Sequence, residues 1–154
     1  ENLSWEPVVH GDQFAVQDNW TVQVHTLASH PGGSLGFRLD QHSHSVRHRQ
    51  LAYITDTTVD GTYDDFIRDV PLLIHECYFA DSGTDWAIKT GHSSTTMVAE
   101  LAVRDRVGEV VLVHVDPSST GDDPLDLPGF RRAFPRGRLG CDRDSLTLAE
   151  SPAQ

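Results

Sequence analysis

The sequence predicts a mixed α/β domain in which an all-strand segment leads into alternating strands and helices. Three observations carry that prediction. Residues 5–28 hold short runs rich in Val, Phe and Trp, broken by turn residues. Beyond residue 50, short apolar runs alternate with helix-spaced segments. Several apolar runs also stop abruptly on a polar residue, most plainly Leu51-Ala52-Tyr53-Ile54-Thr55-Asp56-Thr57-Thr58. A buried strand that delivers a carboxylate at its C-terminal end is a common way for α/β proteins to furnish a crevice.

In chain order, Pro7 to His10, Phe14 to Gln17 and Thr21 to Leu27 are expected strands, separated by Gly11-Asp12 and Asp18-Asn19 turns. In the third run Val22, Val24 and Thr26 share one face, and Gln23, His25 and Leu27 share the other. Ala28-Ser29-His30-Pro31-Gly32-Gly33 breaks that strand into a loop. Ser34 to Asp40 resumes as a strand, and polar Gln41 to Gln50 is expected to be a long solvated hairpin tip before Leu51 to Thr55. Asp64 to Asp69 suggests a short helix, Val70 to Glu76 a strand, and Asp81 to Gly91 a loop. Ser93 or Ser94 is a good helix N-cap, with Met97, Val98, Leu101 and Ala102 at helical spacing behind it and Gly108 as the stop. Glu109 to His114 is a buried strand ending on a histidine. A Pro/Gly/Asp loop over Asp116 to Leu127, a short helix near Pro128 to Phe134 and a strand near Ser145 to Leu148 complete the series. Strands followed by β-α-β alternation fit a mixed domain with buried sheets.

The 154 residues amount to about one domain, and the 38% hydrophobic, 23% charged composition is that of a globular chain. No apolar run approaches the roughly 18–20 residues that span a bilayer. With 12 Lys and Arg against 23 Asp and Glu, the net charge is −11. That balance opposes broad nucleic-acid binding, which needs a basic face. It leaves room for a phosphodiester substrate, because a bound cation inverts the local field. Cys77 and Cys141 stand far apart, and two free thiols in a reducing compartment are expected rather than a disulfide.

Three strand ends present a metal-competent residue: His30, Asp56 and His114. His92 stands in Gly91-His92-Ser93-Ser94-Thr95, just before a helix. Imidazole nitrogens and carboxylate oxygens suit zinc and its first-row neighbours, and a carboxylate can bridge two ions. Each residue also has a plainer reading: His30 as a loop histidine, His114 as a satisfied strand-end histidine, Asp56 as a turn carboxylate. The local run His42-Ser43-His44-Ser45-Val46-Arg47-His48 has the look of a ligand set. Its place in a polar hairpin beside Arg47 and Arg49 argues for a solvated loop, since those charges disfavour a cation and no apolar frame holds the ring orientations.

Five ordered stretches together resemble the second half of metallo-β-lactamase-fold hydrolases, closest to the ribonuclease Z branch and its phosphodiesterase relatives. They are His30 before Leu35-Gly36-Phe37-Arg38, Asp56-Thr57, His75-Glu76-Cys77-Tyr78, His92-Ser93-Ser94 and His114. They match that branch's "GYR", "GDT", "HEAT", "HST" and "TH" signatures over roughly residues 20–117. The resemblance implies half of a four-layer αβ/βα sandwich, a mixed sheet flanked by helices. It implies two zinc ions in the intact parent, Asp56 bridging them and His30 and His114 each completing one ion's shell. His92 would contact the scissile phosphate or protonate the leaving group, with Thr57, His75, Glu76 and Ser93 supporting from behind.

The chain lacks the family's HxHxDH signature, which supplies most ligands. The expectation is therefore one partial domain over residues 1–154 of a longer parent, itself a cytoplasmic zinc phosphodiesterase using a metal-bound hydroxide. Its expected partners are a phosphodiester substrate, with precursor tRNA foremost, and a second copy in a homodimer, with no membrane. The charge of −11 keeps open a cyclic phosphodiester, lactone or thioester hydrolase on the same fold, and a non-catalytic scaffold.

Overall fold

A computed structural model describes residues 5–43 and 46–148. Seven strands form one sheet: β1 (Gln13–Gln17), β2 (Trp20–Leu27), β3 (Ser34–Ser43), β4 (Val46–Ile54), β5 (Leu72–Glu76), β6 (Glu109–Val113) and β7 (Gly137–Leu139). Their order in space is their order in the chain. β1 to β4 are an antiparallel meander, and β4 to β7 run parallel. The change falls at β4 because each later connection contains a helix, and parallel neighbours need a crossover of that length. The crossovers carry α1 (Asp64–Ile67), α2 (Thr84–Thr90, after a 3-10 turn at Asp81–Gly83), α3 (Thr95–Arg104) and α4 (Leu127–Ala133).

The core lies on one face of the sheet. Leu27, Ala52, Ile54, Leu73, Val110 and Leu112 meet Phe66 and Ile67 of α1, Val98, Ala99, Leu101 and Ala102 of α3, and Phe130 of α4. On the other face Val24, Leu72 and Val111 are buried, whereas Tyr53 and Phe14 are about two-fifths exposed. Two polar devices stiffen the core face. Arg38 grips Asp40 through Nε (2.9 Å) and Nη2 (3.0 Å), while its Nη1 donates to Phe66 O of α1. His75, fully buried, donates from Nδ1 to Glu76 O (2.5 Å), so its Nε2 accepts from the Tyr63 hydroxyl (2.9 Å).

Four sequence expectations need correction. Of the stretch Gln41 to Gln50, Gln41 to Ser43 and Val46 to Gln50 are strand rather than loop, because their polar side chains find partners in the sheet: His42 Nε2 meets Thr21 Oγ1 at 3.0 Å and Arg47 reaches Asp40. His42 and His48 are thus strand residues, while His44 lies outside the described residues. Asp81 to Gly91 contains α2, whose Trp86 and Ile88 are exposed, so no buried apolar stripe announces it. Pro7 to His10 is not strand. Ser145 to Leu148 is not strand either, and the last strand is β7, where Gly137 admits the Phe130 ring at a point a Cβ would overlap (2.0 Å to Cε1).

Burial holds the His75 pKa down at about 4, against 6.5 for the unfolded chain. The neutral ring's contribution to stability is therefore complete above pH 6.5 and lost as pH falls toward 4. Urea titrations over that window should show stability falling by an amount of order 3 kcal/mol from this group. Tyr63→Phe removes the donor to buried Nε2 and should cost about 1–3 kcal/mol at pH 7.

Candidate functional site at the strand ends

The C-terminal ends of β4, β5 and β6 form one rim, the usual place for function in a parallel sheet. Asp56 follows β4, His114 follows β6, His30 lies in the β2–β3 loop, and His92 stands between α2 and α3. Although they come from four connections, these side chains converge. Asp56 Oδ1 is 2.8 Å from His114 Nδ1, and Asp56 Oδ2 is 3.9 Å from His30 Nε2. The His92 ring lies 5.1 Å from that of His30 and 5.6 Å from that of His114.

Local sequence explains each placement. Gly91, at φ 79°, closes α2 in the left-handed conformation, and His92 N–H returns to Ala87 O at 2.8 Å. That double closure is the Schellman pattern, and it launches His92 outward. Gly91 also admits the His30 loop, since a Cβ there would sit 2.6 Å from His30 Cα and 2.6 Å from Ser29 O. His114, at φ 55°, leaves β6 through the same left-handed region, so its side chain departs from the strand's alternation. Ser94 occupies the α3 N-cap position without a capping bond, its Oγ accepting from Thr84 Oγ1 (2.8 Å), and Asp81 accepts from Thr96 N–H (2.7 Å) instead.

Behind the rim, a polar hub joins the loops. Glu76 Oε1 accepts from Thr57 N–H (3.1 Å) and Ser93 N–H (2.8 Å). Ser93 Oγ donates to Thr57 O (2.7 Å), Thr58 N–H donates to Ser29 Oγ (3.0 Å), and Ser34 Oγ donates to Asp56 O (2.5 Å). Thr57, Glu76 and Ser93 thus connect the turn after Asp56 to the segment bearing His92. His75 faces the core instead, toward Tyr63. Sequence reasoning missed Ser29 and Tyr78. Ser29 directly precedes His30, and Tyr78 ends the strand motif, which were the signals available.

Burial pushes the Glu76 pKa up to about 8 against backbone hydrogen bonds, those of Thr57 and Ser93 foremost, that pull it down. Burial also lowers that of His92, with Asp56 opposing. Among the described residues five buried side-chain atoms have no hydrogen-bond partner: Glu76 Oε2, His92 Nδ1 and Thr58 Oγ1 at or beside this rim, and both Asp105 oxygens at the end of α3. The donor chemistry fits a divalent cation. One carboxylate offers a different oxygen to each of two imidazoles, and donor atoms of Glu76, His92 and His114 also lie within 4.8 Å of one another.

No protein-family model matches the chain. Ribonuclease Z of Gloeothece citriformis is 33% identical over 98 residues, 61% of this chain and 31% of that protein. Ribonuclease Z of Cytophaga hutchinsonii is 34% identical over 106 residues, 69% of this chain and 34% of that protein. The chain thus spans about a third of the length of these relatives. Among solved structures, the metallo-β-lactamase fold protein YhfI of Bacillus subtilis superposes with TM-score 0.67 at 19% identity, covering 86% of this chain and 50% of that one. The short form of human tRNase Z gives 0.61 at 20% identity, covering 89% and 45%. Zn(2+)-bound PqqB of Methylobacterium extorquens gives 0.63 at 13% identity, covering 92% and 51%.

Two substitutions test this architecture. Gly91→Ala should lose about 1–3 kcal/mol in chemical denaturation from the left-handed backbone alone, with the overlap at His30 added to it. Glu76→Ala strands two buried N–H groups at about 1–3 kcal/mol each, whereas Glu76→Gln keeps an acceptor oxygen for both. The Glu76 carboxyl, with its pKa raised from 4.5 to about 8, contributes full stability below pH 4.5 and loses it as pH rises toward 8. Glu76→Gln should therefore gain on the parent chain as pH is raised across that window.

Proposed function

From the premise that the chain is ribonuclease Z-like and has the metallo-β-lactamase fold, we propose that it belongs to a metal-dependent phosphodiesterase, with precursor tRNA as its leading substrate. The observation that carries this reading is the convergence on Asp56 of two histidines from separate connections, one at each carboxylate oxygen. His30, Asp56 and His114 would hold zinc ions, Asp56 between the two. Bound there, the metal supplies an activated water and neutralises charge on the phosphoryl oxygens.

The chain's own residues do the rest. Asp56, fixed through its backbone by Ser34, keeps its side chain between the histidines. His92 keeps Nδ1 buried, so a proton destined for the leaving oxygen sits on Nε2. Because burial lowers its pKa, a protonated His92 gives that proton up readily. The second face of the sheet, with Tyr53 and Phe14 exposed, is proposed to pack against further sheet of the parent protein, which supplies the remaining ligands. The free thiols of Cys77 and Cys141 agree with the proposed cytoplasmic location.

The charge of −11 favours a second reading, in which the substrate is a small cyclic phosphodiester or another ester rather than tRNA. Zinc analysis of the parent protein should give two ions per chain, and Asp56→Ala or His114→Ala should lower that number. Unchanged zinc in both variants refutes the assigned ligands. Precursor tRNA, bis-p-nitrophenyl phosphate and a lactone then separate the substrates. Lactone turnover without phosphodiester cleavage would exclude the first reading.

A further inference from the structure

We propose that Tyr78 is the positioning residue that sets the plane of the His92 imidazole and its spacing from His114. The proposal rests on the phosphodiesterase reading for what that geometry serves. The Tyr78 ring stacks on His92 with centroids 4.5 Å apart and planes 21° apart. The same ring meets His114 edge-on at 5.1 Å and 71°. One side chain therefore touches both the proposed proton donor and a proposed ligand.

Among the described residues, no hydrogen bond fixes the His92 ring. Its Nδ1 is buried without a partner, and the nearby Glu76 Oε1, at 3.5 Å, forms no hydrogen bond with it. The imidazole is held instead by ring contacts: Tyr78 stacks on its face, and His30 and His114 meet it edge-on. Tyr78 is itself anchored to the segments that carry the two histidines. Its N–H donates to Ser93 O (3.1 Å), and its carbonyl accepts from Asp116 N–H (3.0 Å). A shift of either segment therefore moves the platform with it.

The test uses Tyr78→Leu and Tyr78→Phe. In the 154-residue chain, carbon-detected NMR of the histidine rings reads the environment of His92 directly. Tyr78→Phe should leave the His92 ring signals near their original positions. Tyr78→Leu should move them out of the aromatic shielding zone and broaden them, while the other core signals stay in place. In the parent protein, kcat on bis-p-nitrophenyl phosphate should fall about tenfold or more in Tyr78→Leu with KM little changed, since misorienting a reacting group costs up to about 100-fold. Tyr78→Phe should restore most of it. Unchanged His92 signals in Tyr78→Leu overturn the proposal, and so does a Tyr78→Phe variant as impaired as Tyr78→Leu, because the hydroxyl would then be the working group. If Tyr78→Leu does not fold, Tyr78→Met takes its place in the same two measurements. A parent inactive on every phosphodiester refutes the functional reading, while the NMR comparison still decides whether Tyr78 positions His92.

Discussion

The rim of this sheet depends on one carboxyl group. Glu76 sits at the end of β5, wholly buried, and its Oε1 receives the N–H groups of Thr57 and Ser93. Those two residues each directly follow a residue of the site, Asp56 and His92. Without that acceptor only the Ser93 Oγ to Thr57 O bond, among the described residues, would join the two segments, and two buried donors would lack partners. The serines and threonine around it extend the tie to the His30 loop. Precision at the rim is thus built from short side chains and backbone groups, which lose little freedom when fixed.

Polar groups inside the fold play two different parts. Arg38 with Asp40, and Tyr63 with His75, are saturated: each donor has an acceptor, and they join α1 and its approach to the sheet. Glu76 Oε2 and His92 Nδ1 are not saturated, and both lie at the site. Unsatisfied buried atoms are costly, and they are not confined to the site: both Asp105 oxygens, at the end of α3, also lack a hydrogen bond but lie 3.3 Å from the Arg68 and Arg104 guanidinium groups.

The sequence made β2, β4, β5, α3 and β6 legible, since each pairs a clear apolar period with a turn signal at its end. It also made His30, Asp56, His92 and His114 legible as a set, through their order along the chain rather than through any local pattern. What it hid has physical reasons. α2 buries chiefly Ala87, so it has no apolar stripe to detect. The polar hairpin arms of β3 and β4 are held by cross-strand pairing, which depends on partners over twenty residues distant such as Thr21 with His42. β7 is short and starts on a glycine chosen by the Phe130 ring. Tyr78 was unreadable as a site residue because stacking is a relation between rings, and α2 had to fold within the β5–β6 connection to bring His92 back onto it.

The strand order has a consequence for biosynthesis. Because every strand hydrogen-bonds to the one made just before it, the growing sheet always offers a completed edge to the next strand as it leaves the ribosome. No strand waits for a partner synthesised much later, and no slot in the middle of the sheet stands open to a stranger. The antiparallel meander closes by short loops and can form early, while the three crossovers must each close a longer stretch. His114 enters the rim after β6 has docked, so its meeting with Asp56 comes late in the assembly.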